Sequence, residues 1–349
     1  MTLTRRGKWT AAVTAILAVG ATALGFLVVT GKAPALIRRA AAGIGIGEPP
    51  PPPICPLTGE LAPGGVVPNR PALAVKVENI AEARPQAGLE GADIVYEEPV
   101  EGGITRFVVL YQCHDASRVG PVRSGRITDP GILVQYGTPL LGYSGGANKV
   151  RRAIDEAGLV DVSEMNAIEA YVRDPDRAAP HDLFAGTKKL YAAGGSKDGA
   201  PEPIFAYEED LPERSRKART VHLFFSSSAD VFWTWDRREG LWLRSHGDVS
   251  HTLESGDRVS AANVVVQVVE VTAGTIVDAA GNASPEVTLT GRGRAYIFRN
   301  GRMIVGRWVR DTLADRTTFV TKAGEEIALA PGSTWIELLP STVSVETSK

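Results

Sequence analysis

A chain of 349 residues with 44% hydrophobic side chains can bury one large core or two ordinary ones. Its 38 Lys and Arg against 40 Asp and Glu leave a net charge of −2, and the pI is near 6.3. This excludes a global basic field for nucleic acid, so any anion recognition must come from a local cluster. Two cysteines cannot build a structural zinc site alone, and the five histidines do not cluster at ligand spacing. His246 and His251 are five apart in a turn-rich stretch. No metal and no cofactor is expected.

Residues 9–31 carry no charge and are largely apolar, long enough for a bilayer that needs about 20 such residues. Arg5, Arg6 and Lys8 precede them, as in a signal sequence or a signal anchor. An uncleaved single-pass anchor is the expectation, because the apolar run exceeds an ordinary signal core. Ala33-Pro34-Ala35 offers the alternative, a cleavage site. Lys32, Arg38 and Arg39 follow closely and blur the charge rule. Long domains translocate largely regardless of flanking charge, which places the large globular body outside the cell membrane. Residues 1–31 then read as a cytoplasmic stub and anchor, and residues 32–70 as a linker. The five prolines at 49–53 favour an extended polyproline II spacer. Gly43-Ile44-Gly45-Ile46-Gly47 lacks the Lys-Ser/Thr of a phosphate loop. Cys55 and Cys113, an even count in an exported chain, permit one disulfide; two free thiols are the alternative.

The first folded region spans 71–195 and mixes strands with helices. Residues 72–77 read as a strand. Residues 92–97 and 104–112 read as a hairpin joined by Pro99-Val100-Glu101-Gly102-Gly103. Residues 139–143 form a short apolar run that fits a buried strand, with Pro139 at its start. Helices are predicted over 148–157, with Gly158 as a stop, over 167–172, and over 187–193, between a Thr187 cap and Gly194-Gly195. Residues 196–218, rich in Lys, Glu and Pro, read as a junction. The second region, 219–340, is strand-rich: 221–225, 231–235, 241–244, 264–271, 295–299 and 302–309. Asn300-Gly301 supplies a strong hairpin signal between the last two. Residues 335–339 close the fold. The spacing suggests an antiparallel meander.

Chemistry concentrates in Gly120-Pro121-Val122-Arg123-Ser124-Gly125-Arg126, between two apolar runs, with Arg106 and Arg118 nearby. Guanidinium forks suit phosphate or carboxylate, and a Gly-rich loop can add backbone donors. The competing reading pairs these arginines with Asp93, Glu97, Glu98, Glu101, Asp115 or Asp129. Gly142-Tyr143-Ser144-Gly145-Gly146 precedes a helix, so Ser144 is a candidate hydroxyl beside an anion-holding helix terminus. It also matches Gly-x-Ser-x-Gly, but a hydrolase elbow needs a late histidine after its acid on a long parallel sheet. Pro180-His181-Asp182 could present an imidazole beside a carboxylate, or simply hold a loop. Trp233 and Trp235 share one strand face by period two, for core packing or for stacking on a ligand.

Many short motifs together resemble one family. They are Cys55-Pro56-Leu57-Thr58-Gly59, Val77-Glu78-Asn79, Arg84-Pro85-Gln86-Ala87-Gly88-Leu89, Asp93-Ile94-Val95-Tyr96-Glu97, Gly102-Gly103-Ile104-Thr105-Arg106 and Gly120-Pro121-Val122-Arg123-Ser124. Ala262-Asn263-Val264, Gly306-Arg307-Trp308 and Pro331-Gly332-Ser333-Thr334-Trp335 continue the series. Over roughly 55–340 the chain resembles the YerB-like family of bacterial envelope lipoproteins. The resemblance implies N- and C-terminal domains of unknown function. It also implies an α+β layered sandwich of mainly antiparallel sheets with helices on one side, here preceded by the single N-terminal transmembrane helix. It carries no catalytic residues across. Family members hold a lipid on an N-terminal cysteine, but Cys55 follows Pro53-Ile54 and does not read as one.

The expectation is therefore a membrane-anchored, extracytoplasmic binding protein. It would recognise an anionic envelope component or a protein partner through Arg106, Arg123, Ser124, Arg126, Ser144 and His181, and no nucleic acid. An enzyme acting on phosphate-linked envelope polymers, with Asp93, Glu97 or His181 as acid or base, is one alternative. A purely structural envelope scaffold is the other.

Overall fold

The computed structural model describes residues 51–349, apart from 196–197, 213 and 279–280. Residues 9–31, the expected anchor, lie outside the described residues. Within the described residues no helix is long and apolar enough to cross a membrane. Pro53–Lys349 forms one compact unit; both hydrophobic cores and the disulfide described below lie within it.

The first half contributes strands β1 (Leu73–Glu78), β2 (Ile94–Pro99), β3 (Thr105–Tyr111), β4 (Leu140–Gly142), β5 (Val160–Asp161), β6 (Tyr171–Arg173) and β7 (Leu183–Ala185). Its helices are α1 (Thr128–Leu133), α2 (Asn148–Glu156) and α3 (Thr187–Gly194). The second half adds β8 (Arg216–Lys217), β9 (Thr220–Ser226), β10 (Ala229–Asp236), β11 (Leu241–His246), β12 (Val249–Ser250), β13 (Ser260–Ala261) and β14 (Asn263–Val269). It continues with β15 (Val271–Val277), β16 (Ala283–Val287), β17 (Gly291–Arg299), β18 (Arg302–Arg310), β19 (Thr318–Val320), β20 (Thr334–Pro340) and β21 (Val345–Ser348).

Eleven strands form one sheet in the order β19-β18-β17-β14-β20-β2-β3-β1-β4-β5, with β8 beside β18. This sheet runs through both halves of the chain: β20 lies parallel to β2 on one side and to β14 on the other. Residues 335–339 were expected to close the fold, yet their strand is central and β21 follows it. β1 and β4, and β4 and β5, are also parallel, while β2–β3, β3–β1, β14–β17 and β17–β18 are antiparallel. A sheet covered on both faces needs continuous apolar strands rather than alternating ones, and every residue of β1 and β3 is buried.

Side-chain alternation divides the two cores. Leu73, Val75 and Val77 of β1 share one with Trp233 of β10, Trp242 of β11 and Leu190 of α3. Ala72 and Ala74 share the other with Ile132 of α1 and with Val150 and Ile154 of α2. Helices therefore stand on both faces of the sheet, not on one, because α3 packs on the face that also receives a second, six-stranded sheet, β12-β11-β10-β9-β21 with β13 on β11. Trp233 is a core residue, and Trp235 packs on Trp242 at 5.4 Å.

Three local expectations change. The helix over 167–172 is a short 3-10 turn at Ile168–Ala170 followed by β6, whose β-branched Val172 faces Phe184 of β7. Residues 55–70, expected as linker, belong to the folded body: Leu57 and Thr58 are buried, and Cys55 is bonded to Cys113 with Cα atoms 5.9 Å apart. Within the junction, Ile204 and Phe205 are core residues and β8 joins the sheet.

Candidate functional site

The segment Val119–Arg123 threads between β1 and β7. Val119 and Val122 donate their N–H groups to Ala185 and Leu183, and Glu78 N donates to Pro121 O. Gly120 is required there: at φ +151° its Cβ would lie 2.8 Å from Leu183 O and 2.9 Å from Val122 N. Arg123 N then donates to Lys76 O, Ser144 N to Arg123 O, and Gly125 N to Gly145 O. The two motifs are thus held side by side at the carboxyl ends of the parallel strands β1 and β4. In open α/β sheets, ligands bind outside such strand ends.

One buried carboxylate organises the arginines. Glu78, the last residue of β1, accepts Arg106 Nε on Oε1 at 3.2 Å and Arg123 Nε on Oε2. Burial alone would raise its pKa; the charges and hydrogen bonds of Arg106 and Arg123 outweigh this and hold the carboxyl below its usual range. Glu78 therefore stays ionised and is no proton donor at neutral pH. His181 Nδ1 lies 3.7 Å from Glu78 Oε2, too far to bond, and is buried without a partner. Arg106 also donates to Ser124 O at 3.3 Å. Burial and the neighbouring positive charges of Arg126 and Arg123 lower its pKa.

Arg126 points elsewhere. Its Nε and Nη2 donate to Glu101 Oε2 at 2.8 and 2.6 Å, and its Nη1 to the carbonyls of Ser124 and Gly125. Ser284 of β16 donates to the other oxygen of Glu101 at 2.5 Å. A cleft of about 280 Å³ opens here, lined by Ser124, Arg126, Gly146, Ala147 and, from the β15–β16 ribbon, Ile276 and Ser284. Ser144 turns away to Glu164, donating at 2.9 Å; Arg173 bonds the same carboxylate. Among the described residues no histidine bonds Ser144, so the hydrolase elbow lacks its base. Arg118 lies apart from the cluster, between Asp174 and Glu254.

The fold thus brings Arg106, Arg123 and His181 around Glu78, places Ser124 and Arg126 on the adjacent cleft, and ties Ser144 to Glu164. Of the foreseen carboxylates, Glu101 pairs with Arg126, whereas Glu98 and Asp129 clasp the buried Lys76, Asp129 at 2.7 Å. Asp93 takes the amides of Gln112 and Cys113 and the ring of His114, a structural task beside the disulfide. It immediately precedes β2, about 13 Å of extended chain from Glu97, so Asp93, Glu97 and His181 do not converge on one reacting atom.

A second polar cluster had no clear signal in the sequence. Glu97 and Glu337 are side by side in register on β2 and β20. Arg244 of β11 reaches Glu97 Oε2 at 2.6 Å, and Trp233 Nε1 donates to Glu337 Oε1 at 2.7 Å. Burial, then the charge of Glu97, pushes the Glu337 carboxyl well above its usual range, so it holds its proton. Arg244 Nη1 also meets His251 Nδ1 at 2.9 Å, and Gln86 bonds the far side of that ring. Burial and the Arg244 charge keep His251 neutral. These groups lie between the two sheets and fix how they dock. Only the Gln86 and Glu97 motifs hinted at them.

Among the described residues no group of three or more His, Cys, Asp or Glu could hold a metal ion.

Comparison with known proteins agrees with this architecture. The chain is 28% identical over 309 residues to "Putative lipoprotein YerB" of Bacillus subtilis (strain 168), covering 84% of this chain and 88% of that protein. The crystal structure of the YerB protein from Bacillus subtilis superposes with a TM-score of 0.72 at 23% identity, over 84% of this chain and 99% of that one. Residues 57–200 match the N-terminal domain, and residues 221–336 the C-terminal domain, described as "Protein of unknown function (DUF3048)". Sequence motifs, fold and both domain matches concur: the chain belongs to the YerB-like, DUF3048 family.

Proposed function

We propose that this is an extracytoplasmic, membrane-anchored binding protein that takes an anionic group at the Arg123–Arg126 loop. The apolar segment 9–31, the Cys55–Cys113 disulfide and the likeness to a protein described as a lipoprotein support the location. One observation carries the ligand reading. Arg123 spends only Nε, on Glu78; at 24% exposure both its terminal amines lack a partner among the described residues. Arg106 and Arg126 are held by carboxylates and carbonyls, and serve as fixed positive charge behind it. Ser124 lines the adjoining cleft, whose volume of about 280 Å³ is just under the roughly 300–1,000 Å³ of ordinary small-molecule sites.

The test is thermal unfolding of Pro53–Lys349 with inorganic pyrophosphate and with glycerol phosphate. A specific anion raises Tm by mass action, and Arg123→Gln abolishes the rise. No rise, or an equal rise in the variant, defeats the reading. A scaffold role is the second reading, favoured by the grip of Glu78 on two arginines; it expects a lower Tm in Arg123→Gln and no response to anions in either protein.

A further inference from the structure

On the face of the central sheet that carries α3, a cleft of about 710 Å³ lies between the β6–β7 hairpin, α3 and the 115–118 loop. This is well inside the 300–1,000 Å³ of ordinary small-molecule sites, roughly. Its walls are apolar: Ala116, Ala170, Val172, Phe184 and Ala185. Arg118 does not break that character, because its guanidinium lies 3.4 Å from the centre of the Phe184 ring and is bound by Asp174 and Glu254. Asp115, the acidic group on the rim, is neutralised by Arg70 at 3.0 Å and accepts Thr187.

Two features set the chemistry of the occupant. Lys188 and Lys189, on the first turn of α3, stand exposed on the rim, and neither pairs with a carboxylate among the described residues. Val172, in β6 on the wall of the cleft, is 55% exposed. An apolar hollow with unpaired lysines at its edge and an exposed valine on its wall complements an apolar chain that ends in a negative group. A neutral apolar ligand would leave the lysines unused, and a small inorganic anion would leave the hollow unfilled. We infer that this cleft binds one anionic amphiphile, with its chain along the exposed Val172 and its head at Lys188 and Lys189. The site is separate from the Arg123 loop and stands or falls independently of it.

The shared chemistry, an acyl chain with an anionic head, is offered both by a dissolved fatty acid or alkyl phosphate and by a bilayer. The experiment separates them. Purified Pro53–Lys349 is titrated calorimetrically with dodecyl phosphate below its micelle concentration, and with dodecyl maltoside as the uncharged control. The same protein is sedimented with phosphatidylglycerol and with phosphatidylcholine vesicles. The expected result is saturable one-to-one binding of dodecyl phosphate and weak binding of the maltoside. Lys188→Glu with Lys189→Glu, two exposed changes, should weaken binding about thirty-fold, as expected of two lysines near an anionic head. Val172→Asp, also exposed, should weaken it too, while far-ultraviolet circular dichroism confirms the fold of each variant. Equal affinity for the two amphiphiles, equal affinity in the charge-reversed variant, or adsorption to phosphatidylglycerol vesicles with no binding of the dissolved amphiphile would each overturn the assignment.

Discussion

Glu78→Gln removes the charge that Arg106 and Arg123 share and keeps the side-chain shape. Arg106 is only 4% exposed, so water cannot take over from the lost carboxylate. Taking one partner from a buried ion pair costs about 3–5 kcal/mol. Arg123 can rehydrate, and the glutamine carbonyl still accepts one bond, so the low end, about 3 kcal/mol, is expected. For a body of roughly 300 residues that lowers Tm by about 5 °C. The pH dependence sharpens the test. Because the two arginines depress the folded pKa of Glu78 below the ordinary 4.5, its contribution is present above that pH and fades as pH falls through the folded value. Urea unfolding of both proteins, followed from neutral pH down through the carboxylate range, should show a gap that narrows in acid. The variant has also lost its internal anion, so added pyrophosphate should stabilise it more than the parent. An unchanged neutral stability, or a gap that persists in acid, would refute the view that Glu78 holds the arginines by charge.

Three further outcomes follow from other parts of the fold. Burial pushes the Glu98 carboxyl up to about 7 against the pull of Lys76; its stabilising contribution is therefore complete below pH 4.5 and lost as pH rises through about 7. Relative to Glu98→Gln, the parent should lose about 3 kcal/mol across that window in urea titrations; parallel profiles would contradict this. Replacing Cys55 and Cys113 with serine opens a loop spanning 58 positions, and chemical denaturation should show a loss of about 4 kcal/mol; a loss under about 1 kcal/mol would mean that the unfolded chain is hardly constrained by the bridge. Arg244→Met leaves Glu97 buried without its cation and should cost about 3–5 kcal/mol, with part of the loss recovered on adding Glu97→Gln; no recovery would show that the pair is not the source.

Local signals in the chain served well where one short-range rule dominates. Asn300-Gly301 demanded two left-handed residues, and both have positive φ, 51° and 65°, between β17 and β18 in the anticipated register. The helices over 148–157 and 187–193, and the hairpin around Pro99–Gly103, lie within a residue or two of α2, α3 and the β2–β3 pair. What failed was non-local. A buried strand reads alike at an edge or in the centre, so nothing in 335–339 showed that it slots between β2 and β14. The loop of Arg123 and the loop of Ser144 were each conspicuous, and the backbone bonds them together. Glu78, by contrast, follows the strand read over residues 72–77 and stood out only within the Val77-Glu78-Asn79 motif. Its role depends on Arg106, 28 residues away, and on Arg123, 45 residues away. Arg244 and Glu337 were equally hidden, because each finds its partners only when the two sheets meet.

The central claim is that an anionic group binds at the Arg123–Arg126 loop. Isothermal titration of Pro53–Lys349 with pyrophosphate, beside the Arg123→Gln variant and a Lys188→Glu/Lys189→Glu control, tests it most directly. Saturable binding that the control retains and Arg123→Gln loses is the predicted result. No heat of binding in the parent, or equal binding in Arg123→Gln, would contradict the account and leave the arginines as struts of the fold.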